Sequence, residues 1–241
     1  MACDLWLMEQ AKLTGQTTLR VYSWLRPTVS FGRNERARNF YSAKSLAACN
    51  LDAVRRPTGG RALLHNREVT YSVTMPIPSA ISWQLAYNAV NQILLTAVQT
   101  LGVPASIVES AAATVSSSLQ PGAPCFAGAS RGEIAVAGAK LVASAVWRDR
   151  DTFLQQGSIL LHDDQMLLTT IADAGIPLPK PAATLSELLP TVPPFDSVAD
   201  AIEAAARQHV QTVVWAPSTS DAVAIGGVRE RLGQSSWLWR S

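Results

Sequence analysis

Short apolar, β-prone runs come in clusters along this chain and do not alternate regularly with helical segments. That grouping constrains the fold more than any other feature. Leu19–Trp24 and Thr28–Gly32 are split by the turn signal Arg26-Pro27. Asp52–Arg56 follows a short helical segment at Ser42–Cys49. The turn Pro57-Thr58-Gly59-Gly60 then leads into Arg61–His65 and Glu68–Met75, which read as a pair of strands. Three more β-like runs, Glu133–Ala137, Lys140–Trp147 and Thr152–Leu161, are separated by Gly138 and by Asp149–Asp151. Helical spacing marks Ala2–Leu13, with Leu5 and Met8 on one face, and Ile81–Leu101, with Leu85, Ala89, Ile93 and Val98 on one stripe. It also marks Asp164–Ala172 and Asp196–Val213, while Ile176–Pro194 reads as a proline-punctuated crossing. Ser110–Gly122, rich in Ala and Ser, reads as a mobile connection. The arrangement predicts an α+β fold and argues against a doubly wound parallel sheet.

A chain of 241 residues is long enough to bury a full core in one large domain. Its formal charge of +2 offers no electrostatic case for nucleic-acid binding. The three cysteines, Cys3, Cys49 and Cys125, form no CxxC pair, and with His65, His162 and His209 they give no zinc-ligand spacing. Cys3 and Cys49 fall on helical segments and read as packing. The most apolar stretch, Ile134–Trp147, is interrupted by Lys140 and is too short to span a bilayer. Asp4 and Glu9 are wrong for a signal peptide. The expectation is a protein of the reducing cytoplasm with no membrane association.

Three segments carry candidate chemistry. In Arg55–His65 (RRPTGGRALLH), two glycines after a strand let backbone approach a ligand, and Arg55, Arg56 and Arg61 suit a carboxylate or phosphate. Taken alone, a Gly-Gly with arginines is usually just a hairpin turn with a solvated face. Lys140, inside an apolar strand, either snorkels to water or meets an anion or polar ligand in a cleft. Cys125 in Pro124-Cys125-Phe126 is either a small buried hydrophobe or a nucleophile, the second if a cation approaches it. His65 reads as a hydrogen-bonded structural histidine.

Together and in this order, these segments resemble the lipoate–protein ligase and octanoyltransferase family, whose superfamily includes biotin ligases. Further matching stretches are EVTYSV at 68–73, GAKLVASA at 138–145 and FLQQGSILL at 153–161, and the recognisable motifs run over residues 1–165. The resemblance implies a single catalytic domain, a mixed, largely antiparallel sheet flanked by helices, and a tunnel for a C8 acyl chain. It implies a helical C-terminal part over 166–241 and no separate accessory domain. The implied substrate-binding residues are Arg55, Arg56, Thr58, Gly59, Gly60, Arg61, His65, Tyr71, Gly138, Ser144 and Gly157. Cys125 and Lys140 are the implied catalytic pair.

Two reactions divide that family. A transferase takes octanoate from acyl carrier protein through a Cys125 thioester, with Lys140 orienting and activating the thiol, and needs no cofactor. Closing the Ser110–Pro124 segment would then exclude water. A ligase activates lipoate with ATP and Mg²⁺, alone or with an accessory protein. Both deliver the acyl group to a lysine of a lipoyl domain of a 2-oxoacid dehydrogenase or of the glycine-cleavage H protein, and a monomer is expected. The sequence departs from the family at Ala139, Ala143 and Gln156, where Arg, Gly and His are common. A non-catalytic acyl-binding module is the third reading those departures allow.

Overall fold

The computed structural model describes residues 1–78, 80–109, 122–173, 175–210 and 222–239. Helix α1 (Ala2–Thr14) leads into β1 (Thr18–Tyr22) and β2 (Thr28–Phe31), then α2 (Ala43–Ala48), β3 (Asp52–Arg55), β4 (Leu63–His65) and β5 (Glu68–Pro76). The long helix α3 (Trp83–Thr100) and β6 (Ser106–Ile107) precede a 3-10 turn at Cys125–Ala127. The meander β7 (Ile134–Val136), β8 (Ala139–Asp149) and β9 (Thr152–Leu160) follows. Five helices close the chain: α4 (Leu167–Ile171), α5 (Leu185–Leu188), α6 (Phe195–His209), α7 (Ala222–Gly233) and α8 (Ser235–Leu238). The expected connection at 110–122 and its closing motion lie outside the described residues except at Gly122, as does the end of the expected helix at 211–213.

The strands form two sheets. Six run β1-β5-β9-β8-β7-β6, every neighbouring pair antiparallel. Three run β3-β2-β4, with β2 parallel to β3 and antiparallel to β4. This is the expected α+β class with a largely antiparallel sheet, with one correction. Arg61–His65 and Glu68–Met75 are not partners: His65 of β4 pairs with Thr28 in the small sheet, whereas β5 lies between β1 and β9 in the large one. The Asn66-Arg67 link therefore passes from sheet to sheet, and the groove between the sheets begins there.

The core is correspondingly divided. Helices α3 and α6 cover one face of the large sheet, packing Val90, Leu94, Val98, Val198 and Ile202 against Val69, Tyr71, Val73 and Leu141. A second cluster joins the small sheet to α2 and α4 through Val29, Phe31, Leu46, Leu64, Leu168 and Ile171. A third, small cluster of Leu63, Phe126, Ala143, Leu160 and Ala182 fills the space between the sheets, and Cys125 packs on it. The α3 stripe is rotated from the expectation. Leu85 and Ala89 are exposed, and Val90, Leu94, Ala97 and Val98 form the buried face. On α1 the buried side is Asp4, Met8 and Ala11, not Leu5 and Met8, because Arg20 and Ser72 both bond the Asp4 carboxylate. Cys49 sits at the α2 C-terminus and is exposed, whereas packing was expected of it.

Candidate active site

Strand β5 shows how the groove is made. Its odd positions, Val69, Tyr71 and Val73, join the α3 core, and its even positions, Glu68, Thr70, Ser72 and Thr74, are polar and equally buried. A buried polar face calls for hydrogen bonds. Glu68 Oε1, Thr70 and Ser72 find them on α1, β4, β9 and Trp24, whereas Glu68 Oε2 and Thr74 Oγ1 are buried without a partner among the described residues. Glu68 Oε1 accepts from Thr70 Oγ1 at 2.6 Å and Ser158 Oγ at 2.9 Å, and lies 2.5 Å from His65 Nδ1. His65 Nε2 is 2.7 Å from Ser30 Oγ, and the ring stacks on Trp24 with centroids 4.3 Å apart.

That network continues into the Arg-Arg-Pro-Thr-Gly-Gly segment. Arg56 is fully buried and donates to Ser30 Oγ (2.8 Å), Ser30 O (2.9 Å), Gly59 O (3.1 Å) and Arg61 O (2.7 Å). Ser30 Oγ thus accepts from Arg56 and stands within hydrogen-bond distance of His65 Nε2. The contacts run in the order Arg56–Ser30–His65–Glu68. Gly60 has φ +95°, and a Cβ there would stand 2.6 Å from Arg56 Nη2. The glycine therefore lets the loop wrap the guanidinium. Burial pushes the Arg56 guanidinium below its usual range, opposed by Cys125 and by the Glu35 carboxylate.

Cys125 is half-buried, and its N–H donates to Ala62 O at 2.8 Å, which fixes the 3-10 turn on the strand after Gly60. Cys125 lines a narrow cavity with Arg56, Leu63, His65, Ala143, Ser144 and Gly157 among the walls. Lys140 approaches from β8, but to the backbone: Nζ donates to Cys125 O at 2.8 Å and pairs with Glu133 Oε2 at 2.8 Å. Both side chains of the pair are buried. A break in register between β7 and β8 makes this contact. Ala135 is opposite Lys140, yet Ile134 is opposite Val142, so one extra residue is accommodated. Strict alternation would send residues 140 and 143 to opposite faces. The bulge brings Lys140 to the side where Phe126 packs on Ala143.

Tyr71 and Ser144 meet across the sheet, hydroxyl to hydroxyl at 2.7 Å, with Gln155 Nε2 donating to Tyr71 Oη at 2.9 Å. Burial pushes the Tyr71 phenol well above its ordinary value. The ring passes directly over Gly157, where a Cβ would overlap both the Tyr71 ring and Ala143 O. Gln156, on the opposite side of β9, accepts from Thr58 Oγ1 at 3.0 Å and donates from Nε2 to Asp4 Oδ2 at 2.7 Å. Asp4 also accepts from Arg20 and Ser72 and pairs with the Met1 ammonium. Burial alone would raise the Asp4 carboxyl, but the Met1 ammonium, Arg20 and the Ser72 hydrogen bond outweigh it and hold it below the ordinary carboxylate value.

The family model for the lipoyl protein ligase A/B catalytic domain matches residues 1–207. The chain belongs to this family. Among its relatives, the octanoyltransferase LipM of Exiguobacterium sp. is 36% identical over 203 residues, covering 77% of this chain and 72% of that protein. The octanoyltransferase LipM of Kyrpidia tusciae is 38% identical over 160 residues, covering 64% of this chain and 58% of that protein. The chain thus spans under two thirds of the Kyrpidia relative's length. Two solved structures share the fold: protein Ta0514 of T. acidophilum with bound lipoic acid, and a lipoate-protein ligase A bound with ATP. Each superposes with a TM-score of 0.78 at 15% identity, covering 99% of this chain and 92% of the other.

Within the lipoyl ligase A/B frame, the expected site residues separate into groups. Cys125, Arg56, His65, Ser144 and Gly157 line one cavity, and Tyr71 backs it through Ser144. Thr58 and Gly59 contribute through Gln156 and Arg56, and the Arg61 carbonyl holds the Arg56 guanidinium. Gly138 lies in the two-residue turn between β7 and β8 and lines neither this cavity nor the larger chamber near Trp147. Arg55 turns the other way, donating to the main-chain carbonyls of Gly32, Glu35, Trp237 and Leu238. Sequence reasoning missed Glu133, Ser30, Glu68 and Asp4. The signal available for Glu133 and Glu68 was a carboxylate within reach of an otherwise stranded Lys140 or His65. Among the described residues no cluster of His, Cys, Asp and Glu is suited to a metal, and no helix is long and apolar enough to cross a membrane.

Proposed function

We propose that this chain is an acyltransferase of protein lipoylation that carries an octanoyl group on Cys125 and delivers it to a lysine of a lipoyl domain or of the glycine-cleavage H protein. The observation that carries this reading is that Cys125 lines a cavity together with the buried Arg56 and the apolar residues Leu63, Ala143 and Ala145. The donor is octanoyl-acyl carrier protein. The Cys125 sulfur attacks the thioester carbonyl, the C–S bond to the carrier breaks, and the carrier thiol leaves with the proton. The neutral amine of the acceptor lysine then attacks the acyl-enzyme, and Cys125 leaves as thiol while the amide forms. Because the donor thioester is already activated, this route needs no ATP, Mg²⁺ or second domain. We expect it to run in the cytoplasm with the chain as a monomer.

The residues have distinct parts. Arg56 supplies positive charge beside the sulfur, held in place by Ser30 and His65. Lys140 holds the carbonyl of the residue that bears the thiol, and so acts as a positioning residue for the turn. Intact-mass measurement after mixing with octanoyl-acyl carrier protein is expected to show one added octanoyl group on the wild type and none on Cys125→Ala. Equal modification of a lipoyl domain by the wild type and Cys125→Ala would overturn the covalent route. Lipoate-dependent ATP–pyrophosphate exchange would turn the assignment to the ligase reaction.

A further inference from the structure

A second and larger space lies on the same face of the large sheet as the Cys125 cavity. Strand β8 presents Ala143 and Ala145 to the cavity and, two and four residues further on, Trp147 and Asp149 to a chamber of about 330 Å³. Strand β9 does the same with Gln156 and Thr152. The chamber's exposed lining is mostly apolar, from Leu5 and Met8 of α1, Trp147 of β8 and Val228, Leu232 and Trp237 of the C-terminal helices. Those last three residues lie beyond the stretch matched by the family model. The charged residues Glu9, Arg33, Asp149 and Arg231 also stand on the chamber wall.

Between the two spaces runs one hydrogen-bonded seam. Gln156 sits on the cavity side and is tied to Thr58 and to Asp4, whose chain neighbours Pro57 and Leu5 line the chamber. We infer that this seam is the end wall of the acyl channel and sets the length of chain the enzyme accepts, and that the chamber behind it takes the end of a longer fatty acyl chain once Gln156 is shortened. The inference rests on the acyltransferase reading.

Strand geometry supplies the ruler. At about 3.4 Å per residue, Ala145 is about 7 Å and Trp147 about 14 Å along β8 from Ala143, the residue beside Cys125. An extended octanoyl chain reaches about 9 Å from its carbonyl carbon, taking carbon–carbon bonds of about 1.5 Å in zigzag. Its methyl end therefore falls at the rung where Ala145 pairs with Gln156. A fourteen-carbon chain would run past the rung where Trp147 pairs with Leu154, into the chamber. The cavity has only about 20 Å³ free when empty, so a chain enters by moving side chains aside. Crossing the seam is a different matter, because it would strip the buried Gln156 amide and the Asp4 carboxylate of their partners.

The test is calorimetric binding of free octanoate and tetradecanoate, below micelle concentrations, to the full chain. Each methylene admitted to apolar space is worth about fourfold in affinity. The wild type is expected to bind octanoate at least tenfold tighter than tetradecanoate. Gln156→Ala is expected to gain at least tenfold for tetradecanoate, and Gln156→Met, which keeps the length, to retain the wild-type preference. Wild type binding tetradecanoate as tightly as octanoate, neither acid binding at all, or Gln156→Ala leaving the ratio unchanged would each overturn the inference. The wild-type comparison decides alone if Gln156→Ala does not fold. A clear length preference with no octanoyl group ever loading on Cys125 would leave the ruler standing and remove the acyltransferase reading.

Discussion

Replacing Glu133 by Gln should strand a buried ammonium. Lys140 is 4% exposed and Glu133 6% exposed, and Nζ has two oxygens within hydrogen-bond distance, Glu133 Oε2 and Cys125 O, each at 2.8 Å. Breaking a buried ion pair by removing one partner costs about 3–5 kcal/mol, most of it the uncompensated charge left behind. For a chain of this size that corresponds to a fall of roughly 6–20 °C in Tm. The double variant Glu133→Gln/Lys140→Met removes both charges, and its loss should be only about 1–2 kcal/mol, because a neutral replacement avoids the desolvation of either ion. Urea unfolding followed by far-ultraviolet circular dichroism, with the slope checked for constancy across the set, measures all four corners of the cycle. The double variant should also load octanoate poorly while remaining folded, since the turn bearing Cys125 has lost its anchor. A Glu133→Gln loss below about 1 kcal/mol, or a double variant no more stable than the single, would refute the argument that this pair is what keeps the lysine buried.

Two further outcomes follow from the geometry. Gly157→Ala should lose roughly 3 kcal/mol or more, because the added methyl overlaps Ala143 O and the Tyr71 ring between paired strands. Gly59→Ala, with nothing within 4 Å of a new Cβ, should lose far less, and equal losses in thermal melts would refute this. Asp4 is held below its ordinary value near 3.8 in the folded chain, so its stabilisation is fully present above that pH and is lost as pH falls through the lower folded value. Asp4→Asn should therefore be destabilised at neutral pH, with the gap to wild type closing in acid. A gap that stays constant from about pH 7 to pH 3 would contradict the assignment.

Much of this was readable from the residues because local signals agreed with the fold. The β7–β8–β9 meander was legible from Gly138 and Asp149–Asp151, whose turns join antiparallel neighbours. Cys125 and the Arg-Arg-Pro-Thr-Gly-Gly segment were legible as a group: Arg56 and Cys125 line one cavity, and Gly60 lies against the Arg56 guanidinium. What sequence could not supply was orientation. Alternation in Glu68–Val73 normally marks one wet face, yet both faces of β5 are buried, and nothing in the residue types of Glu68 and Ser72 announces it. The β7–β8 bulge has no composition of its own, and without it Lys140 would point away from Cys125. The two arginines of the motif were indistinguishable by type. Only the strand's alternation and the distant Trp237 decide that Arg56 faces the cavity and Arg55 faces the chain's last helices.

Arg55 has one more implication, for where this catalytic unit stops. Its guanidinium is tied to the carbonyls of Trp237 and Leu238, and Trp237 Nε1 returns a bond to Arg55 O at 3.1 Å. The family resemblance ends at residue 207, but the molecule's wiring does not. A fragment trimmed to the matched stretch would keep every residue of the Arg-Arg-Pro-Thr-Gly-Gly motif and still take from its first arginine the two carbonyls that its Nε–H reaches. Trp237 and Leu238 thus buttress the start of that motif, and a boundary drawn from similarity alone would cut them away.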